Sequence, residues 1–399
     1  MDETLSTCQY VFMTDAPNPI KAVLGAGLGA TAAHNRRAVI DAIRVNGPLS
    51  RADLARATRL AKQTLSNIVE ELEASGLLVA CDPVAEGRGK PATPYDLAPM
   101  GALSVGLQID RNVARTVVMD LRGTVLSRRD APLRSRDPDA GLLVLGQLLD
   151  DTRAALAPDV QGRIVGLGIA MPGPFGPAVP VTRDDYTMAH WRDIDLAARL
   201  GEATGLDVAL QNDAAAAAIA ERLTGRAHGL RDAVCLYLGY GLGAGLILNG
   251  ELYGGRHSDA GEIGMIPLPG SGALLEHEVA LAGFCETFDI AMADPGMFAQ
   301  IEAVLARGGP GLDVWIDRAG ARLGWLAQMM ALITDPQAVV LCGTAPRALL
   351  ERLAQTANAS APRLPLQLGH ADPWVVAMGA AAEPISRNFD PKYAALLKS

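Results

Sequence analysis

One stretch restricts the fold more than any other. Val208-Ala209-Leu210-Gln211-Asn212-Asp213 reads as a short apolar strand with a polar tip, and Ala214 to Arg222 as an Ala-rich helix directly behind it. A strand that hands over to a helix at an Asn-Asp pair belongs to an α/β layer, and such layers bind ligands at the carboxyl ends of their strands. On this ground Asp213 is open to three readings: a general base, a ligand hook, or a helix cap.

The chain does not begin with this architecture. Residues 1 to 33 have weak periodicity and several Gly and Pro, and read as a flexible arm. Gly25-Ala26-Gly27-Leu28-Gly29 imitates a dinucleotide fingerprint, but no βαβ unit and no suitably spaced acidic residue follow it, so it is a decoy. From His34 the pattern turns helical, with Ala38, Val39, Ala42 and Ile43 on one face and Gly47-Pro48 as the stop. Ser50 is a good N-cap for a second helix, with Asp53 in its first turn. After a tight turn at Thr58 to Leu60, a third helix runs from Lys62 to Ala74 over Leu65, Ile68, Val69 and Leu72, and Gly76 ends it. Leu77 to Ala80 and Pro94 to Leu97 read as two strands flanking the basic tip Gly87-Arg88-Gly89-Lys90-Pro91. Three helices, a tight turn and a basic hairpin in that order spell a winged helix-turn-helix over residues 34–97.

Charge agrees. His34 to Asn67 carries seven Arg or Lys against two Asp, net +5, within a chain of net −9. Local asymmetry of this kind is an electrostatic footprint for nucleic acid. Lys62, Gln63, Thr64, Ser66 and Asn67 lie off the apolar face of the third helix and suit base edges in a major groove. Arg88 and Lys90 suit phosphates or a narrow minor groove. With 4% aromatic residues, no stacking platform for single strands stands out, so the expected partner is double-stranded DNA.

Residues 98–103 are a linker, and a second architecture follows over residues 104–399. Strands at Ser104–Asp110, Val113–Asp120 and Thr124–Arg128, a Leu-rich helix, the strand Ile164–Met171 and the stretch at Val208 form one round. Val234–Leu238, a glycine loop over Gly239–Gly245, the strand Leu246–Asn249, the helix Trp315–Ile333, the strand Ala338–Gly343 and a final helix from Val375 form a second. Two similar rounds imply two α/β lobes with a small-molecule cleft between them. The 49% hydrophobic content supplies the core. No run of 18 or so apolar residues predicts a membrane span, and no basic-then-apolar leader opens the chain. Five scattered cysteines without a CxxC suit reduced thiols, and the expected location is the cytoplasm.

Five landmarks in order then resemble the ROK family of repressors, open reading frames and sugar kinases. They are Gly87-Arg88-Gly89-Lys90-Pro91-Ala92, Pro172-Gly173-Pro174, Gln211-Asn212-Asp213, Leu238-Gly239-Tyr240-Gly241-Leu242-Gly243-Ala244-Gly245 and Ala260-Gly261-Glu262-Ile263-Gly264. The resemblance implies an N-terminal winged helix-turn-helix plus an α/β two-lobed domain of the actin/hexokinase (ribonuclease H-like) type. It implies sugar contacts at Asn212, Asp213, Glu262 and Glu276, with Gly173 and His257 beside them. His190, His277, Asp259 and Thr187 are weaker candidates for the same cleft.

Three departures decide how that resemblance is used. The family's Asp-x-Gly-Gly-Thr phosphate loop is Asp110-Arg111-Asn112-Val113-Ala114 here, without the glycines that let backbone N–H groups reach a phosphate. The Thr of the later glycine loop is Tyr240. The His of the family's zinc site is Met265, and Pro267 to Leu275 contains no Cys, so no zinc and no other cofactor is expected. The expectation is a repressor of carbohydrate-metabolism genes that senses a sugar without phosphorylating it, with Asp213 as a hydroxyl hook and no catalytic residue. It would act as a homodimer or dimer of dimers on a palindromic operator, with no membrane partner. An ATP-dependent sugar kinase is the alternative.

Overall fold

A computed structural model describes residues 28–83, 92–134, 137–173, 188–191, 194–270, 272–360 and 362–390. The first unit opens with α1 (Leu28–Asn46), β1 (Leu49–Ser50), α2 (Arg51–Thr58), α3 (Lys62–Ala74), β2 (Leu78–Ala80) and β3 (Pro94–Leu97). Helix α1 starts six residues ahead of the expected boundary at His34. Ala30, Ala32 and Ala33 are strong helix formers and carry the helix back through this stretch. The rest of the proposed arm lies outside the described residues. Ser50 caps α2 in a capping box with Asp53, whose carboxyl is held below the usual range chiefly by the Ser50 hydroxyl. Arg59 turns the chain in the left-handed region at φ 57°. Leu65, Ile68, Val69 and Leu72 of α3 are buried against Val39, Ile40, Ile43 and Leu54. The strands form a small sheet in the order β1-β3-β2. The tip at 84–91, with Arg88 and Lys90, lies outside the described residues.

The first lobe contains β4 (Leu103–Ile109), β5 (Val113–Asp120), β6 (Val125–Pro132), α4 (Pro138–Ala154), α5 (Pro158–Gln161), β7 (Ile164–Met171), α6 (Leu196–Thr204), β8 (Val208–Asn212) and α7 (Asp213–Thr224). The second contains β9 (Ala233–Leu238), β10 (Leu242–Leu248), β11 (Glu251–Tyr253), α8 (Leu275–Val279), α9 (Leu281–Thr287), α10 (Met297–Arg307), α11 (Pro310–Thr334), β12 (Ala338–Gly343), α12 (Arg347–Ala359), β13 (Leu366–Ala371) and α13 (Val375–Phe389). The sheets are β6-β5-β4-β7-β8 and β11-β10-β9-β12-β13. In each, the first three strands meander antiparallel and the last two join parallel to the first. The two rounds expected from the strand pattern are thus the same topology used twice.

One expectation needs correction. The glycine run 239–245 is not a single loop. Leu242 pairs with Leu238 and Gly245 with Cys235, so β10 begins inside it and only 239–241 turn. A Cβ at Gly243 would sit 2.8 Å from the Ala214 methyl, and one at Gly245 would overlap Ala218. These glycines admit α7 onto the second sheet.

Helices α7 and α13 cross between the sheets. Helix α7 follows the last strand of the first lobe but packs on β9 and β10, while α13 follows the last strand of the second and packs on β4 and β7. Ala214, Ala216, Ala217 and Ala220 of α7 share one buried cluster with Ala377, Ala380 and Ala381 of α13. Gly379 lets α13 meet α7 backbone to backbone, because a methyl group there would overlap the Ala216 carbonyl. Gly379→Ala is expected to cost about 2–3 kcal/mol by overpacking. The same change at Gly146 in α4, where nothing lies within 4 Å, should instead raise stability by up to ~1 kcal/mol. Urea unfolding midpoints of the two variants, moving in opposite directions, would check this.

Candidate ligand cleft and nucleic-acid interface

The cleft is assembled where β8 hands over to α7. Asn212 is buried and extended, and its Oδ1 caps the helix by accepting from Ala215 N at 2.7 Å. That capping leaves its Nδ2 to donate to Glu262 Oε1 at 3.2 Å, which ties the first lobe to the second. Asp213 is the first residue of the helix and accepts from Ala214 N at 2.8 Å. Burial, and next the charge of Asp110, push its carboxyl up to about 6, while Arg111 pulls the other way. Glu262 is pushed up to about 7, first by burial and then by Asp213, against the Asn212 bond that lowers it.

Gly173 lies two residues beyond the end of β7, beside this pair. A Cβ there would lie 2.7 Å from Glu262 Oε1, so the position keeps space over the carboxylate. Glu276 Oε2 reaches to 2.9 Å from a Cβ at Gly241 and 3.0 Å from one at Gly264. Asp259 and Glu276 each add to the negative field on Glu262. The structure thus brings Gly173, Asn212, Asp213, Glu262, Glu276 and Asp259 together as a polar floor suited to hydroxyl groups. His257, His277 and His190 are exposed, and among the described residues no hydrogen bond joins His257 or His277 to the floor. Pro174 and Thr187 lie outside the described residues.

In the sequence Arg111 and Tyr240 stand as two separate departures from the family pattern. The structure shows them as one contact. The turn from β4 to β5 is closed by Asp110 N donating to Val113 O at 2.9 Å. Arg111 lies with a guanidinium nitrogen 3.2 Å from the buried Asp110 carboxylate and its plane carbon 4.8 Å over the Tyr240 ring. Asn112 Nδ2 donates to Met292 O at 2.9 Å, again across the lobes. Two simultaneous departures at facing turns were the signal that these positions had become partners.

A zinc does not fit the residues present. Met265 is half-buried in a 3₁₀ turn, Pro267 bridges Leu274, and Cys285 is buried among core side chains of the second lobe. Among the described residues no three His, Cys, Asp or Glu side chains converge as metal ligands.

On the other unit, Lys62, Gln63, Thr64 and Asn67 are exposed along one side of α3 and Ser66 is half-buried. Gln63 Nε2 donates to Asn67 Oδ1 at 3.0 Å. No described helix is long and apolar enough to cross a membrane.

Comparisons with known proteins match this geometry. The ROK family model matches residues 104–289, and the MarR family model residues 34–89. The uncharacterized protein y4fQ of Sinorhizobium fredii is 25% identical over 89% of this chain and 91% of its own length. The xylose repressor of Bacillus subtilis is 25% identical over 60% of this chain, and the match spans 61% of the repressor. A crystal structure of a ROK family transcriptional regulator, a homologue of the E. coli MLC protein, superposes with a TM-score of 0.69 at 22% identity, over 92% of this chain and 98% of that one. Residues 104–289 thus form a ROK domain, with a MarR-type winged helix-turn-helix set in front of it at residues 34–89.

Proposed function

We propose that the chain is a transcriptional repressor of carbohydrate-metabolism genes whose hold on DNA is set by a sugar or sugar derivative in the cleft. The observation that carries this reading is a cleft of sugar-kinase type, joined to a DNA-binding unit, with Arg111 packed on Tyr240 where a kinase needs open backbone N–H groups. Asn212, Asp213, Glu262 and Glu276 supply acceptors and one amide for sugar hydroxyls. Asp213, although raised toward neutrality as a base would be, faces no phosphate cradle. It therefore serves as a hook and not as a catalyst. The reading uses no metal and no cofactor.

Two copies on a palindromic operator would place one α3 in each half-site. A ligand that favours one arrangement of the lobes then shifts the population that fits both half-sites. The test pairs two assays on the full chain. A gel-shift with duplexes from its own promoter region should show retardation that falls steeply with salt and changes with D-xylose, D-glucose or N-acetyl-D-glucosamine. A coupled ADP-release assay over the same sugars should stay at background. Turnover above background, or no retardation of any duplex, would overturn the reading.

A further inference from the structure

We propose that α13, hinged at Pro384, carries the state of the cleft to the DNA-binding unit. The inference rests on the reading of the cleft as the effector site. It starts from where α7 begins and ends. Asn212 and Asp213, the floor of the cleft, are its cap and first residue. Nine residues after Asp213, about 14 Å along the axis, Arg222 Nη2 donates to Asp390 Oδ2 at 2.8 Å, directly beyond the end of α13. Between these points α7 packs along α13, and at Gly379 the two helices meet backbone to backbone against Ala216. A backbone-to-backbone contact has no side chain at that point to absorb a displacement, so a shift of α7 is passed to α13.

Helix α13 has two parts that answer to different neighbours. From Val375 to Glu383 every residue is buried, wedged between α7 and the two sheets. Gly168 of β7 admits the Ala380 carbonyl, and Ser104 of β4 bonds the Ala381 carbonyl at 2.5 Å. Pro384 follows, inside the helix. Proline has no N–H for the Ala380 carbonyl, and its ring weakens the helix at that point. Beyond it Ile385 and Phe389 leave the ROK core and join Val39, Ile40 and Ile43 in the core of the DNA-binding unit. Arg37 of α1 donates to the Asn388 carbonyl at 3.0 Å. A narrow crevice lined by Ile40, Arg44, Leu121, Leu223, Ile385 and Phe389 lies beside this last turn.

The opposite edge of the DNA-binding unit is pinned. Arg122 bonds Asp96 at 2.6 Å and the Leu97 carbonyl at 3.0 Å. Arg163 bonds the Ser75 carbonyl, at the end of α3, at 2.8 Å. A displaced end of α13 therefore tilts α1 against a fixed edge. Helix α1 in turn holds α3 through Arg36–Glu71 at 2.7 Å and through the shared buried face of α3.

The experiment measures three quantities on the full chain, using whichever of D-xylose, D-glucose and N-acetyl-D-glucosamine binds the wild type most tightly by calorimetry. They are sugar affinity, operator affinity without sugar, and the change in operator affinity that the sugar causes. Pro384→Ala restores a strong helix former, and Arg222→Ala cuts the tie at the far end of α7. Both variants should keep the first two quantities within about twofold. The third should fall by about fivefold or more, which is the lower end of ordinary allosteric coupling. Full coupling in both variants, in the presence of a wild-type response, overturns the hinge while leaving the cleft reading intact. A wild type that binds operator but no sugar overturns the cleft reading, and the inference with it.

Discussion

Asp213→Asn is expected to weaken effector binding by about 10- to 100-fold and to leave effector-free operator affinity unchanged. The size follows from losing a charged acceptor for a hydroxyl, worth roughly 1.5–3 kcal/mol. The selectivity follows from local structure. Asn212, not Asp213, caps α7, so the helix keeps its start when the carboxylate becomes an amide of the same shape. The DNA-facing residues lie on a different unit. Calorimetry with sugar and a gel-shift without it would read the two effects separately. Loss of sugar-free DNA binding would make the residue structural and sink its role as a hook.

The same substitution carries a pH signature. The folded Asp213 carboxyl is raised from 3.8 to about 6, and Glu262 from 4.5 to about 7. For a raised acid the unfolded chain ionises first. The stability tied to each proton is therefore complete below the unfolded value and is lost as pH rises through the folded one. The ligand-free wild type should lose stability between about pH 4 and pH 7. Asp213→Asn removes one of the two contributions. Its melting temperature should exceed that of the wild type at pH 8, by the equivalent of about 1–2 kcal/mol, and meet it near pH 4. A ligand-free variant less stable than the wild type at pH 8 would contradict the burial that motivates this.

The sequence was most legible where periodicity and end signals coincide. Helix α3, bounded by a turn and Gly76, and the strands β7, β12 and β3 have the limits their residues predict. It was least legible where one residue type serves two purposes. Gly243 and Gly245 look like loop residues because glycine is the usual loop residue, yet they are flat spots on a strand beneath a helix. Leu143 sits in the Leu-rich face of α4 by pattern but is exposed, because five leucines exceed the width that one sheet covers. Helices α10 and α12 bury one face each, but their patterns are short and lie between stronger signals. In the cleft, the motif residues converge because each is fixed by a strand end or a glycine turn. The pairing of Arg111 with Tyr240 joins positions 129 apart in the chain, and no local pattern records a contact between two turns.

Gln63→Ala combined with Asn67→Ala should lower affinity for the cognate operator by roughly 100-fold, with a much smaller effect on unrelated duplex. The two amides stand one helical turn apart on the exposed side of α3 and are joined by the 3.0 Å bond from Gln63 to Asn67. That bond holds each amide plane before DNA arrives, so little rotamer entropy remains to be lost on binding. Side-chain amides of this kind match adenine in the major groove, at about 1–3 kcal/mol for each bidentate pair. The fold should tolerate both changes, because Leu65, Ile68, Val69 and Leu72 anchor α3 from its other side. Lys62, grouped by sequence with the base-edge residues, sits at the first position of α3, where its charge suits a phosphate instead. Lys62→Ala should therefore weaken binding to every sequence alike and reduce the slope of log affinity against log salt by about one. Titrations of cognate and scrambled duplex at several salt concentrations separate the two classes. Equal losses on both duplexes for the Gln63 and Asn67 pair would place these residues on the backbone and move sequence reading elsewhere on the winged helix.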